Sequence, residues 1–259
     1  MVLENRFNKL IKARHGTILY NKNDIYIGKS IEKYGEFSYL EAKIFEQICK
    51  DGDVVIEVGA NIGAHTLYLS KLVGNGFVFA FEPQRLIFQN LCANLALNSI
   101  SNVFAYQEAV SNENGTIIIP ECNFKENNNF GGINIENTKN GTTVNKQKLD
   151  NFLNKIDRLK LLKIDVEGME ISVIKGASEL IKKFRPMIYV ENDRQEHSKE
   201  LIELLWSLDY KMYWHLPKLY NENNFFNDKE NIFGNIVSVN MFCIHKDLDI
   251  KVIDMVEVL

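Results

Sequence analysis

Short apolar runs alternate with amphipathic segments along most of this chain of 259 residues. The runs are rich in valine, isoleucine, leucine and phenylalanine and show no polar alternation, which is typical of parallel strands covered on both faces. Segments with apolar positions three and four residues apart lie between them and predict helices. The predicted strands cover residues 54–58, 77–81, 103–107, 159–164 and 187–191, and the predicted helices cover residues 63–73, 84–97, 169–183 and 198–207. This alternation predicts an α/β fold with a doubly wound, mostly parallel sheet and helices on both faces.

The N-terminal part of the chain departs from this pattern. Residues 17–20 and 24–27 are short apolar segments separated by a polar tripeptide, and this arrangement predicts a β-hairpin. Ser38 is placed to cap the helix that follows. We therefore expect an N-terminal hairpin and helix cap over residues 1–50 and one larger domain over residues 51–259.

Two polar tracts interrupt the larger domain. Residues 121–141 are rich in asparagine, and residues 217–231 are polar apart from a few aromatic side chains. Both tracts are too polar to bury and too long for simple connections, so we expect loops that lie over a binding site. Residues 210–214 and 239–245 predict an antiparallel pair of strands that closes the sheet.

A glycine turn follows the first predicted strand of the larger domain, in the spacing Glu57-x-Gly59-x-x-x-Gly63. Gly59 allows the chain to turn and a ligand to approach the backbone closely. Backbone N–H groups at the start of the next helix are available to a cofactor at this point. The sequence therefore predicts a cofactor pocket beside this turn.

An acidic residue closes the second strand, where Glu82-Pro83 follows the apolar run 77–81. A carboxylate at this point accepts hydrogen bonds from both hydroxyl groups of a ribose. A nicotinamide cofactor uses the same contact, so an oxidoreductase is an alternative. Its fingerprint requires glycine where this chain has Asn61 and Ala64. Because the side chain of Asn61 would crowd a pyrophosphate, we regard the dinucleotide as the weaker interpretation.

Carboxylates are concentrated after the fourth strand of the larger domain, at Asp165, Glu167 and Glu170. Ligands of open α/β sheets bind outside this edge, where the strands end. Asp165 and Glu167 are the candidates for orienting a hydroxyl group or taking its proton, and Glu191 at the end of the next strand is the third candidate catalytic residue. Glu170 has the simpler role of a charge at a helix start.

Three segments together resemble the FkbM family of methyltransferases. They are Gly-Ala-Asn-Ile-Gly-Ala-His-Thr at 59–66, Phe-Glu-Pro at 81–83 and Lys-Ile-Asp-Val-Glu-Gly-Met-Glu at 163–170. The resemblance covers about residues 30–192. It implies a Rossmann-like class I fold, S-adenosylmethionine as the methyl donor, and in-line transfer to a hydroxyl group of a sugar, a glycan or a natural product.

The resemblance also implies site residues. Those expected to bind the cofactor are Glu57, Gly59, Ala60, Asn61, Gly63, Glu82, Pro83, Glu108, Ala109 and Asp165. Asp165 and Glu167 are expected to face the methyl group and the acceptor. Tyr34 and Glu36 are expected to close the pocket from the N-terminal side.

Aromatic side chains suggest where an acceptor binds. Tyr213, Trp214 and His215 stand just before the second polar tract, and aromatic faces with polar edges suit sugar rings. The proton acceptor of the reaction is one of the carboxylates or His65. Asp165, together with Glu191 and its neighbour Asn192, also resembles the Mg²⁺ site of catechol-type O-methyltransferases. The sequence does not favour this metal over simple substrate contacts.

Composition narrows the class of protein. The chain is 46% hydrophobic and 25% charged and carries a net charge of −4, without a long basic run, which disfavours nucleic acid as the main partner. It has no apolar stretch of membrane-spanning length and four scattered cysteines without a Cys-x-x-Cys pair, so we expect a cytoplasmic enzyme. A non-catalytic binding module on the same fold is the remaining alternative.

Overall fold

A computed structural model describes residues 3–133, 138 and 140–259 of the chain. Its strands are β1 (Leu3–Glu4), β2 (Asn8–Ala13), β3 (Gly16–Asn21), β4 (Val54–Val58), β5 (Phe77–Phe81), β6 (Val103–Tyr106), β7 (Ala109–Val110), β8 (Gly115–Ile119), β9 (Thr142–Gln147), β10 (Leu161–Ile164), β11 (Met187–Glu191), β12 (Tyr210–His215), β13 (Asn240–His245) and β14 (Val256–Glu257). Its α-helices are α1 (Ile27–Tyr34), α2 (Tyr39–Ile48), α3 (Thr66–Val73), α4 (Arg85–Leu97), α5 (Glu170–Lys175), α6 (Ser178–Phe184) and α7 (Gln195–Ser207).

The central sheet has eight strands in the order β14-β12-β13-β11-β10-β4-β5-β6. The five strands from β11 to β6 are parallel to one another, whereas β13 is antiparallel to both of its neighbours. The doubly wound, mostly parallel sheet predicted from the sequence is therefore confirmed, as is the closing antiparallel pair. The chain leaves β4 towards β5 on one side and returns to β10 on the other, so the switch point of the sheet lies between β4 and β10.

Apolar side chains cover both faces of the sheet. On one face, Val54, Ile56 and Val58 of β4 pack in a core with α5, α6 and α7. On the other face, Val55 packs with side chains of α2 and α3. Because both faces of β4 are buried, its nearly continuous β-branched sequence is explained by its position in the sheet.

The N-terminal hairpin differs from the prediction. It pairs β2 with β3 and turns at Arg14 and His15, so residues 24–27 do not form its second strand. Asp24 instead accepts a hydrogen bond from the backbone N–H of Tyr26 at 2.9 Å, immediately before α1 begins. A side chain that bonds its own backbone two residues on favours a turn over a strand, which the apolar pattern alone does not reveal.

Two helix predictions also require correction. Ser38 precedes α2 but does not cap it; its hydroxyl group donates to the carboxylate of Glu41 at 2.5 Å. The helix predicted over 169–183 is divided into α5 and α6 at Gly176, which lies against the backbone of Ser111. None of the helices in the described part of the chain combines the length and the apolar character needed to cross a membrane.

Candidate active site

A cleft opens at the carboxyl ends of the parallel strands, on either side of the switch point. Its lining combines the glycine turn after β4, the Glu82-Pro83 pair after β5, the acidic segment after β10, the last residue of β11 and the first residue of β13. The observed cleft therefore lies at the sheet edge where the sequence predicts a ligand.

The glycine turn is fixed by close packing against the segment after β10. Gly59 has a φ of +83°, and a Cβ atom at this position would lie 1.7 Å from the backbone oxygen of Asp165. Asn61 also adopts a left-handed backbone, with a φ of +50°. The cleft is lined by Gly59, Ala60 and Asn61. Gly63 is not part of the lining and lies against Leu91.

Glu82 joins the glycine turn to the second strand. Its two carboxylate oxygens accept hydrogen bonds from the backbone N–H groups of Asn61 at 3.0 Å and Gln84 at 2.8 Å. Glu82 is buried and lines the cleft, and burial raises its pKa to about 7. Because each carboxylate oxygen has a second lone pair, Glu82 retains the capacity to accept hydrogen bonds from a ligand.

A buried ion pair lies inside the sheet beneath the cleft. Glu57 of β4 and Lys163 of β10 are adjacent in the strand register, only 1% and 2% of their side chains are exposed, and their charged atoms are 4.0 Å apart. The ammonium group of Lys163 also lies 3.1 Å from the carboxylate of Asp165. Burial raises the pKa of Glu57 to about 7; for Lys163, burial opposes the charge but the neighbouring carboxylates raise the pKa.

Three carboxylates meet where β10 and β11 end. Oxygen atoms of Asp165, Glu167 and Glu191 all lie within 4.8 Å of one another. Burial, followed by the charge of Asp165, raises the pKa of Glu167 to about 7 and that of Glu191 well above its ordinary range. Arg194 donates to Glu167 at 2.5 Å, and Glu167 has a left-handed φ of +56°. The three candidate catalytic residues are thus brought together at one edge of the cleft.

His65 lies deeper in the same cleft, edge-on to Phe45. Burial, and then the charge of Lys163, lowers the pKa of His65 to about 3. The imidazole is therefore neutral at physiological pH and is a weaker proton acceptor than the carboxylates around it.

The two polar tracts have different relations to the cleft. Asn129, Gly131, Gly132 and Ile133 of the first tract line it, and the amide of Gln84 donates to the carbonyl of Phe130 at 2.9 Å. The second tract is anchored to the N-terminal part of the chain. The predicted loop over the site is therefore supplied by the described part of the first tract; residues 134–137 and 139 of that tract lie outside the described residues.

Tyr34 and Glu36 anchor the second tract and do not line the cleft. Tyr34 donates to the carbonyl of Glu230 at 2.9 Å, and Glu36 accepts from the side chain of Asn221 at 2.8 Å and from the backbone N–H of Phe225 at 2.9 Å. Their observed contacts hold two parts of the fold together.

The remaining predicted site residues also lie outside the cleft lining, on strands or at strand ends. Glu108 accepts a hydrogen bond from Gln147, and Ala109 is buried in β7. Trp214 packs against the core on one face of the sheet and Tyr213 against the core on the other. His215 lies one strand beyond the cleft, with its Nδ1 atom 2.7 Å from the hydroxyl group of Tyr189.

Several side chains that line the cleft had no role predicted from the sequence, among them Glu41, Lys163 and Asn240. Lys163 left a signal, because a lysine inside a strand buried on both faces requires a partner. The sequence around Glu41 and Asn240 carries no such signal, because α2 and β13 reach the cleft only in the folded chain.

Comparison with known proteins identifies the family of the chain. A family model described as the methyltransferase FkbM domain matches residues 57–212. Methyltransferase sdnD of Sordaria araneosa is 28% identical in a match that covers 56% of this chain and 70% of that protein. The hexuronic acid methyltransferase AglP of Haloferax volcanii is 25% identical over 178 residues, which are 68% of this chain and 70% of that protein.

A solved structure shares the fold. The crystal structure of methyltransferase FkbM from Methylobacillus flagellatus KT superposes with a TM-score of 0.51 at 19% sequence identity. The match covers 74% of this chain but only 44% of that one. This likeness shows a Rossmann-like methyltransferase fold.

Proposed function

Because the chain belongs to the FkbM family of methyltransferases, we propose that it transfers a methyl group from S-adenosylmethionine to a hydroxyl group of a sugar, a glycan or a natural product. One relative is named a hexuronic acid methyltransferase, which places a sugar derivative among the acceptors of similar proteins. An oxidoreductase that uses a nicotinamide cofactor is the alternative that the following experiment tests.

The position of Glu82 is the observation that carries the proposal for the cofactor. Its carboxylate is buried at the end of β5, faces the cleft and is tied to the glycine turn through the N–H of Asn61. A carboxylate held in this way accepts hydrogen bonds from the two hydroxyl groups of a ribose. The backbone of Gly59 and Ala60, with Glu57 beneath it, would hold the amino-acid part of the cofactor.

The residues of the cleft fit this group. Gly59 and Ala60 present backbone to the cleft, and the lining carries six carboxyl groups: Glu41, Glu57, Glu82, Asp165, Glu167 and Glu191. A surface rich in carboxylates suits a ligand with a sulfonium and an ammonium group. Bound at this site, the cofactor supplies an electrophilic methyl carbon.

The protein then has two tasks in the reaction. It aligns the acceptor oxygen with the carbon–sulfur bond, and positioning of this kind lowers a barrier by roughly 7–11 kcal/mol. It also receives the proton that the hydroxyl group loses as the new carbon–oxygen bond forms and the carbon–sulfur bond breaks. We place this proton on the cluster of Asp165, Glu167 and Glu191, in which Glu167 has a pKa raised to about 7, because a group with a pKa near 7 is an effective base at neutral pH.

The experiment is calorimetric titration of the protein with S-adenosylhomocysteine, with NAD⁺ as the comparison ligand. We expect S-adenosylhomocysteine to bind and Glu82→Gln to weaken it by roughly tenfold or more, because charge-assisted hydrogen bonds to the ribose are lost. Glu113→Gln is the matched control, since Glu113 is exposed and pairs with Lys146 at the surface. Binding of NAD⁺ in place of S-adenosylhomocysteine would contradict the proposed cofactor.

A further inference from the structure

A row of polar side chains crosses the sheet beyond the acidic segment. Glu191 ends β11, and its partner in the register is Asn240, which begins β13; the partner of Asn240 on the next strand is His215 of β12. Paired residues of neighbouring strands project from the same face of a sheet, with their Cβ atoms roughly 4.5–5.5 Å apart. Glu191 and Asn240 both line the cleft.

Each of these two side chains has a buried polar atom without a partner among the described residues. Neither the Oε2 atom of Glu191 nor the Nδ2 atom of Asn240 has a hydrogen-bond partner of normal geometry, although the side chain of Asn240 also interacts with the hydroxyl group of Tyr189. Both atoms are shielded from solvent, and the Asn240 residue is only 4% exposed. His215, the third member of the row, has its Nδ1 atom paired with Tyr189. Buried polar groups in native proteins are almost always paired, so an unpaired acceptor beside an unpaired donor in one cleft indicates a ligand.

The location of the pair separates it from the proposed cofactor contacts. Glu82 lies on the β5 side of the switch point, whereas Glu191 and Asn240 lie on the opposite side, past Asp165. The pair therefore borders the part of the cleft that the cofactor leaves open. This step rests on the function proposed above.

We propose that Glu191 and Asn240 bind the methyl acceptor, and that the acceptor is an uncharged polyhydroxylated compound. One of its hydroxyl groups donates to Glu191, and a neighbouring hydroxyl group accepts from Asn240. Two polar side chains on adjacent strands can each bind one of two neighbouring hydroxyl groups of a sugar ring. A third hydroxyl group would then lie near Asp165 and Glu167, whose carboxylates are grouped with that of Glu191.

Charge in the cleft argues against an anionic acceptor. Lys163 is already paired with Glu57 and Asp165, and Arg194, which borders the cleft through Glu167, is paired with that residue. Within the described part of the chain, Lys163 is the only lysine or arginine of the lining, so a carboxylate on the acceptor would meet carboxyl groups without an available cation.

The test measures release of S-adenosylhomocysteine with a panel of acceptors and three variants. The probes are neutral methyl glycosides with vicinal diols, their deoxy analogues, D-glucuronic acid and D-glucosamine. The variants are Glu191→Gln, Asn240→Ala and, as the control, Asn145→Ala, an exposed strand asparagine on β9. We expect turnover of neutral glycosides by the wild type, with an acceptor KM raised about tenfold in Asn240→Ala and Glu191→Gln but unchanged in the control.

Two further readouts separate binding from a structural role. Affinity for S-adenosylhomocysteine is expected to stay within about twofold of the wild type in both variants, and Asn240→Ala is expected not to lower Tm, because it removes an unpaired buried group. A lowered Tm with an unchanged KM would assign Asn240 to the fold and overturn the proposal.

The remaining outcomes are also decisive. A preference for glucuronic acid or glucosamine, or no turnover of any neutral glycoside by a protein that binds S-adenosylhomocysteine, would overturn the proposal. Saturable Mg²⁺ binding that is abolished by Glu191→Gln would also overturn the proposal, since Glu191 would then be a metal ligand. Failure of the wild type to bind S-adenosylhomocysteine would instead contradict the function on which the proposal rests.

Discussion

Gly59 shows how a single residue determines the site. Its left-handed backbone permits the turn after β4, and the absence of a side chain lets the backbone of Asp165 approach it. The same residue therefore lines the cleft and positions the segment that carries two candidate catalytic carboxylates.

Gly59→Ala is expected to damage the site far more than a matched substitution elsewhere. Gly52 has a φ of +84°, almost the same as Gly59, but a Cβ atom there meets nothing within 4 Å. Gly52→Ala should cost only the left-handed conformation, roughly 1–2 kcal/mol, whereas Gly59→Ala adds a clash with the backbone. Urea unfolding and S-adenosylhomocysteine titration of both variants check this; equal effects would contradict it.

At the scale of elements, the parallel pairing of β4 with β10 creates the charged centre of the sheet. The register sets Glu57 beside Lys163, and the segment after β10 then carries Asp165 to the same ammonium group. Two charges in a sheet interior persist only as a pair, because either one alone would be buried without compensation.

Lys163→Met is expected to destabilise the protein by about 3–5 kcal/mol, since it leaves buried carboxylates without a counter-charge. Combining it with Glu57→Gln should restore part of the loss. Lys211→Met, at an exposed position of β12, is the control. Urea unfolding is measured for the wild type and the three variants. If Lys163→Met is as stable as Lys211→Met, the ion pair of Lys163 and Glu57 does not contribute to stability as described.

At the scale of the whole molecule, several buried carboxyl groups give the fold an unusual titration. The pKa of Glu57, Glu82 and Glu167 is raised by burial to about 7 from an ordinary value of 4.5. The folded protein therefore holds protons at these groups in a pH range where the unfolded chain has lost them. Their contribution to the free energy of unfolding is greatest below pH 4.5, falls as the pH rises to about 7, and is constant above.

Comparison of the wild type with Glu82→Gln isolates one of these groups. Between pH 5 and pH 8, the wild type should lose about 1–3 kcal/mol of unfolding free energy relative to the variant, because only the wild type must ionise a carboxyl group at this buried position. Urea titrations at several pH values provide the measurement. A difference between the two proteins that does not vary with pH would contradict the burial of an ionising Glu82.

The carboxylate cluster allows a prediction about metal. Lys163 and Arg194 already neutralise Asp165 and Glu167, so two of the three carboxylates that could coordinate a cation have protein partners. We expect Mg²⁺ titration to give no saturable heat and EDTA to leave the affinity for S-adenosylhomocysteine unchanged. Metal binding that depends on Glu191 would support the catechol-type arrangement instead.

Much of this organisation was predictable because it follows from local patterns. The β-branched runs identified the parallel strands, and the order of those strands along the chain indicated which of their ends meet. Four carboxyl groups lie at or just after a strand end, so their convergence could be predicted before the fold was known. They belong to Glu82, Asp165, Glu167 and Glu191. The predicted hairpin was wrong in its pairing because the hydrogen bond of Asp24 to its own backbone competes with strand formation.

The sequence by itself determined the class of fold, the glycine turn and the acidic strand ends, since each depends on residues close together in the chain. Only the tertiary structure decided which strands stand side by side, and therefore that Lys163 meets Glu57 and that Glu191 meets Asn240. It also decided that Glu36 holds the second polar tract, because its partners are almost two hundred residues away. Such contacts depend on strand register and on how distant parts of the chain fold back onto each other, which no local pattern encodes.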